Sequence, residues 1–291
     1  FLNFNGTAGV WRRACMAQAG GWQHDTLTED LDLSYRAQLC GWQIAYHPEV
    51  VVPAELPVQI SAFKRQQFRW AKGSIQTAVK LMGQLWRAPH PWWLKLLGTF
   101  HLTNYGVHPL MLLNLLLALP MTLFDSPVLL VTPAFTISAV GPPLLYWTAM
   151  RADSVPVGVR LRRLALLIGL GTGLSLSNTR AVLEALFNIN SEFKRTPKFA
   201  VTGQSTTWWR STYALPRDAT SWLELLLALY SLGLLGWAVA AGVWWLVPWL
   251  LVYGGGYCYV AGLAFVQAWQ TRATRRRGGG FGLSDVKNVA G

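Results

Sequence analysis

The stretch Phe63-Lys64-Arg65-Gln66-Gln67-Phe68-Arg69-Trp70-Ala71-Lys72-Gly73 divides the chain into two kinds of sequence. It lies within residues 58 to about 87, where Lys64, Arg65, Arg69, Lys72 and Lys80 alternate with Phe63, Phe68, Trp70, Ile75, Val79 and Leu81 at helical spacing. Such an amphipathic helix suits a membrane surface, with its apolar side down and its charges in the headgroup layer. On a helix, Gln66, Arg69 and Trp70 share a face at i, i+3 and i+4, so an amide, a guanidinium and an indole point into one cleft. Gly73 continues that face and admits a close approach by a ligand or backbone.

N-terminal to this stretch, residues 1–57 mix polar and apolar positions with turn signals at Gly20-Gly21, Gly41 and Pro48, as expected of an α/β piece. Residues 1–4 and 44–52 read as strands. Thr28 is placed to cap a helix that runs to about Leu39 and stops at Gly41, with Leu31, Tyr35 and Leu39 on one buried face.

C-terminal to it, apolar runs near 98–124, 127–149, 221–242 and 244–269 each approach the roughly 20 residues needed to cross a bilayer. A fifth apolar stretch, 164–187, is expected to lie at the interface. Its uninterrupted part ends at Leu174, and Ser177, Asn178, Arg180 and Glu184 follow. If it crossed, the basic loop with Lys194, Arg195, Lys198, Arg210 and Arg217 would lie outside, against the positive-inside tendency. Four spans keep that loop and the tail Arg272, Arg275, Arg276 and Arg277 on the cytoplasmic side.

Composition agrees with a membrane-embedded chain. Of 291 residues 52% are hydrophobic, 16 are Trp and only 13% are charged. The net charge of +12 comes from Lys and Arg at the edges of apolar segments, without the aromatic-interleaved groove of a nucleic-acid binder. Anionic headgroups and a nucleotide diphosphate are the expected counter-charges, and no nucleic acid is expected. Cys15, Cys40 and Cys258 show neither disulfide pairing nor metal-ligand spacing, so no metal site is expected from these residues. The chain opens on Phe1-Leu2-Asn3-Phe4 with no secretory leader pattern and is expected to begin within a domain.

Thr28-Glu29-Asp30 and Gln66-x-x-Arg69-Trp70 carry the chemistry. A carboxylate at Asp30 suits a general base that takes the proton from an attacking hydroxyl. The same tripeptide also reads as an ordinary acidic first turn that complements the helix dipole. Arg69 suits bidentate contact with diphosphate oxygens, Trp70 an apolar platform for a sugar, and Gln66 a hydroxyl or amide. A basic helix with an interfacial Trp is the alternative. Thr99, His101, Thr103, Asn104, Tyr105 and His108 place polar groups at the start of the first span, which suits either a wet path or a headgroup boundary.

These motifs in order, with Phe4-Asn5-Gly6-Thr7-Ala8-Gly9 upstream, resemble the processive membrane glycosyltransferases of family 2, the cellulose synthase superfamily. The wording Phe-Asn-Gly-Thr-Ala-Gly-Val-Trp-Arg is especially similar to the mannan and glucomannan synthase branch and its bacterial relatives. The resemblance implies a fold of α/β class, the C-terminal part of a GT-A catalytic domain over 1–57. It implies an interfacial region over 58–90 and an α-helical transmembrane region with interfacial helices over 91–291. It implies Asp30 as catalytic base, with Glu29 beside it shaping the acceptor site. Asn5, Gly6, Thr7, Thr28, Gln66, Arg69 and Trp70 match substrate-binding positions. Phe199, Val201 and Thr202 match a gating loop within 188–220, although Gln204 stands where that loop carries Lys. The implied activity is inverting, processive polymerisation of a hexose into a β-glucan or β-mannan, with translocation of the glycan. The implied partners are a nucleotide sugar (UDP-glucose or GDP-mannose), a growing polysaccharide acceptor and the lipid bilayer. The implied location is the plasma (inner) membrane with the catalytic part cytoplasmic. A divalent metal, Mg or Mn, is implied on the diphosphate, held by an upstream half, so the chain is expected to be inactive alone. A non-processive glycolipid-forming transferase and a non-catalytic membrane scaffold or transporter are the alternatives.

Overall fold

The computed structural model describes residues 1–124, 140–193, 195–199, 208–211 and 213–276. Among them every regular element is helical, and the expected α/β character is not found. The reason for segment 1–4 lies in helix α2 (Glu29–Leu39). Gln38 Nε2 donates to the Leu2 carbonyl at 2.8 Å and Gln38 Oε1 accepts from the Leu2 N–H at 2.9 Å. Ser34 Oγ accepts the Phe4 N–H at 2.9 Å. Side chains of α2 thus take the bonds that a neighbouring strand would offer. Segment 44–52 turns at His47–Val50, where Val50 N–H meets the His47 carbonyl at 3.2 Å. It leaves Val50, Val51 and Val52 exposed, with no described partner strand to cover them.

Contacts divide the chain into two compact units, one of residues 1–107, 177–215 and 271–291, the other of 108–176 and 216–270. In the first, α1 (Arg13–Gln18), α2 and the 28-residue α3 (Ile60–Arg87) pack with α4 (Trp92–Thr103) and with α8 (Ser175–Leu186) from Ser177 onward. One face of α2 buries Leu31 and Tyr35 with Ala78, Leu81 and Leu85 of α3 and Leu102 of α4. Phe1 stacks on Tyr35 with ring centroids 4.9 Å apart. The other face buries Leu33 and Ala37 with Cys15 and Ala19. Helix α2 ends at Cys40, and Gly41 supplies the left-handed φ of 89° that turns the chain away. Thr28 occupies the N-cap position, but its hydroxyl makes no cap bond, which corrects the capping expectation. Its side chain is pressed on Gly73, and a first-turn N–H, that of Leu31, goes to Asp30 Oδ1 at 2.8 Å.

The second unit contains α5 (Val107–Leu123) from His108 onward, α6 (Gly141–Ala152), α7 (Val157–Gly173), α9 (Thr220–Ala240) and α10 (Val247–Arg276) up to Gln270. Leu115, Ala228, Leu234, Ala238, Leu246, Leu250, Tyr253 and Tyr257 form its core. Helix α7 meets α10 where glycine faces glycine. A Cβ on Gly256 would fall 2.6 Å from the Gly169 carbonyl oxygen.

Three described helical stretches are long and apolar enough to cross a membrane: Trp92–Leu123, Thr220–Ala240 and Trp244–Ala273. Of the expected 127–149 span, residues 127–139 lie outside the described ones, and the remainder belongs to α6. The polar residues early in the first stretch bond within the protein. Tyr35 Oη and His101 Nδ1 are 2.8 Å apart, and Thr99, Thr103 and Asn104 donate to the carbonyls of Lys95, Thr99 and His101. Such bonding lowers the cost of placing them beside lipid.

Candidate functional site

One face of α3 aligns the Thr28-Glu29-Asp30 turn. A Cβ on Gly73 would fall 2.5 Å from Thr28 Oγ1 and 2.7 Å from its backbone nitrogen, so only glycine lets the two backbones come this close. One turn along, Gln76 Oε1 accepts the Leu27 N–H at 3.0 Å. A further turn along, Lys80 Nζ reaches Asp25 Oδ1 at 2.8 Å and Asp32 Oδ1 at 2.9 Å. Asp32 is fully buried and also takes both Nε and Nη2 of Arg36 on Oδ2, at 2.8 and 2.6 Å. Its role is to anchor the turn, and two cations satisfy its charge.

The anchored turn brings Glu29 and Asp30 into the electrostatic reach of Arg69. Burial pushes the Asp30 carboxyl above its ordinary range and Glu29 adds to the rise, while the Leu31 N–H and Arg69 oppose it. Burial pulls Arg69 below its usual value, against the opposing charges of Glu29 and Asp30. Among the described residues Arg69 Nε is buried without a hydrogen-bond partner, and Nη2 reaches Thr196 Oγ1 only at 3.5 Å. The guanidinium therefore keeps donor capacity for an anion. Its flat face lies 4.6 Å from the centre of the Phe193 ring.

The Asn5-Gly6-Thr7 loop adjoins the same carboxylate. Gly6 has φ 72°, and a Cβ there would lie 2.9 Å from Asp30 Oδ2. Thr7 is exposed, Gln66 is part-buried and Trp70 is 44% exposed, leaving hydroxyl, amide and indole accessible. Gly6 thus abuts Asp30, and Arg69 acts on Glu29 and Asp30 through its charge. Phe199 donates its N–H to Glu55 Oε1 at 2.7 Å. Val201 and Thr202 lie outside the described residues. Among those described, no three His, Cys, Asp or Glu side chains gather as a metal site.

Several residues that tie distant segments of the first unit together carry no motif. Gln59 clamps Leu215 with two amide bonds, accepting its N–H at 2.9 Å and donating to its carbonyl at 2.7 Å. Glu55, Gln76 and Phe193 likewise act through distant partners. Lys72 offers a faint signal, because a lysine three residues beyond Arg69 sits beside the apolar stripe of Ala71, Ile75 and Ala78.

The family model described as glycosyl transferase family group 2 matches residues 2–149. Curated relatives are glucomannan mannosyltransferases. Probable glucomannan 4-beta-mannosyltransferase 10 of Arabidopsis thaliana is 45% identical over 87 residues, 30% of this chain and 16% of the relative. Glucomannan 4-beta-mannosyltransferase 7 of Arabidopsis thaliana is 37% identical over 126 residues, 42% of this chain and 23% of the relative. Probable glucomannan 4-beta-mannosyltransferase 7 of Oryza sativa subsp. japonica is 48% identical over 81 residues, 28% and 14% of the two chains. The matched stretches thus span less than a quarter of each of these relatives. No solved structure matches.

Proposed function

Because the chain belongs to glycosyl transferase family group 2, we propose that it supplies the acceptor side and membrane region of an inverting, processive hexosyltransferase. The observation that carries this reading is a partly buried carboxyl, Asp30, within the electrostatic reach of Arg69, whose Nε has no hydrogen-bond partner among the described residues. Asp30 takes the proton of the acceptor hydroxyl as that oxygen bonds to the anomeric carbon of the donor. The carbon–oxygen bond to the nucleoside diphosphate breaks, and the departing diphosphate keeps the electron pair. Arg69 offsets the charge that gathers on it. The raised pKa of Asp30 serves this step, since a more basic carboxylate takes a proton more readily. Glu29 and the Asn5-Gly6-Thr7 loop bound the acceptor, Trp70 supports its sugar ring, and Gln66 and Thr28 complete the site. Phe199, Val201 and Thr202 are assigned to the 188–220 loop as residues that gate the nucleotide.

The names of the relatives favour a GDP-mannose donor and a β-mannan or glucomannan product, with UDP-glucose as the competing donor. Residues 1–57 and 58–90 form the catalytic face on the cytoplasmic side of the plasma membrane. Residues 91–291 form the path by which the glycan leaves. No step here runs through the divalent cation, for which the described residues offer no ligand cluster. On this reading the 291 residues alone transfer no sugar, and turnover by them in isolation would overturn that part.

The test is Asp30→Asn in the full-length parent enzyme with labelled sugar nucleotides. Turnover should fall by about 10²–10⁴-fold while nucleotide binding is retained. Unchanged turnover would remove Asp30 from the mechanism. A single glycolipid product in place of polymer would replace the processive reading with single transfer.

A further inference from the structure

Lys72 lies just beyond Arg69 on α3, and its side chain is only 1% exposed. An ammonium carries three N–H donors and is costly to bury unless each is met. All three are met by one segment. Glu184 Oε2 accepts at 3.0 Å, the Ile189 carbonyl at 2.5 Å, and the Ser191 hydroxyl takes the third. The other Glu184 oxygen accepts from Arg180 Nε at 2.8 Å, so the carboxylate is engaged on both sides. Burial pushes the Glu184 carboxyl up, but hydrogen bonds and charge from Lys72 and Arg180 outweigh it and leave the pKa lowered.

The chain reaches Lys72 because α8 ends in a left-handed turn at Asn188, φ 51°. Ile189 N–H closes on the Glu184 carbonyl at 2.8 Å and Asn188 N–H on that of Ala185 at 3.2 Å. This helix-ending motif reverses the backbone, and Asn tolerates its left-handed residue better than most side chains. Ile189 and Ser191 therefore return along α3. Two residues later Phe193 covers the Arg69 guanidinium, and Thr196 meets Nη2.

We propose that Lys72 is a positioning residue for Arg69. By holding Ile189 and Ser191 it fixes the strap whose Phe193 and Thr196 aim the guanidinium. The proposal rests on the reading of Arg69 as the diphosphate ligand. Lys72 is buried and touches no substrate. Its effect is to restrict a side chain that otherwise loses considerable rotamer freedom on binding an anion.

The test is a double-mutant cycle in the full-length parent enzyme, with nucleoside diphosphate inhibition and kcat as readouts. Lys72→Met should weaken nucleoside diphosphate binding about tenfold when Arg69 is present and less than about twofold in an Arg69→Ala background. A lysine that merely glued α3 to α8 would cost the same factor in both backgrounds, and that result, or no loss at all, overturns the proposal. If Arg69→Ala itself leaves affinity unchanged, the diphosphate reading fails first and takes this inference with it. Should Lys72→Met not fold, Ser191→Ala, on an exposed residue, should show the same dependence on Arg69 with a loss of about threefold. Equal effects in the two backgrounds would again overturn it.

Discussion

The two units of this chain hold themselves together by different means. The first buries charge: Asp32 between Arg36 and Lys80, and Lys72 among Glu184, the Ile189 carbonyl and the Ser191 hydroxyl. The second packs Leu115, Ala228, Leu234 and Leu250, and brings α7 to α10 across glycines at 169, 173 and 256. A buried ion accepts only a partner of opposite charge at the right distance, so ion pairs in the first unit select one arrangement from many. Where glycine of one apolar helix meets glycine of another, close fit between backbones does the selecting. Ion pairs thus add specificity in the first unit, and glycine contacts add it in the second.

The most severe way to break this contrast is Asp32→Ala, which leaves Arg36 and Lys80 without their buried carboxylate. A loss of about 3–5 kcal/mol is expected from denaturant unfolding of the first unit. The counterpart in the second unit is Gly256→Val. Its added carbons meet the Gly169 carbonyl and Thr172, and a loss of about 1–3 kcal/mol is expected by thermal unfolding in detergent. Full stability in that variant would mean that glycine contact does not hold α7 to α10. Gly73→Ala tests close approach inside the charged unit. Its methyl meets the Thr28 backbone, the turn carrying Asp30 shifts, and on the proposed function sugar transfer should fall about tenfold with smaller loss of stability.

The finest distinction lies between two carboxylates. Asp30 has a raised pKa, so its contribution to stability is present below its ordinary value of 3.8 and is lost as pH rises through the folded value. Glu184 has a lowered pKa, so its contribution is present above 4.5 and is lost as pH falls through the folded value. Asp30→Asn should therefore gain stability relative to wild type as pH rises towards neutrality. Glu184→Gln should be least stable relative to wild type at neutral pH and approach it in acid. Parallel pH profiles for the two variants would erase the distinction between a strained site carboxylate and a structural one.

Helices α2 and α3 are legible in the sequence because their signals are local. Leu31, Tyr35 and Leu39 recur at helical spacing, and Gly41 marks the stop. The strands expected at 1–4 and 44–52 do not form, and nothing local in the sequence reports that. A strand exists only with a partner, and for Leu2 and Phe4 that partner became the side chains of Gln38 and Ser34. The cap at Thr28 illustrates the same limit, since Gly73, 45 positions away, decides where that side chain packs.

The sequence by itself determined the family, the apolar stretches long enough for a membrane, and the short-range order of the motifs, because composition and periodicity are properties of neighbouring residues. Only the tertiary structure decided that Gly6 abuts Asp30 within the electrostatic reach of Arg69, that Lys72 grips a strap more than a hundred positions away, and that Phe193 covers Arg69. Those contacts depend on how helices pack and where buried charges find acceptors, and no local pattern records the partner that a distant backbone brings.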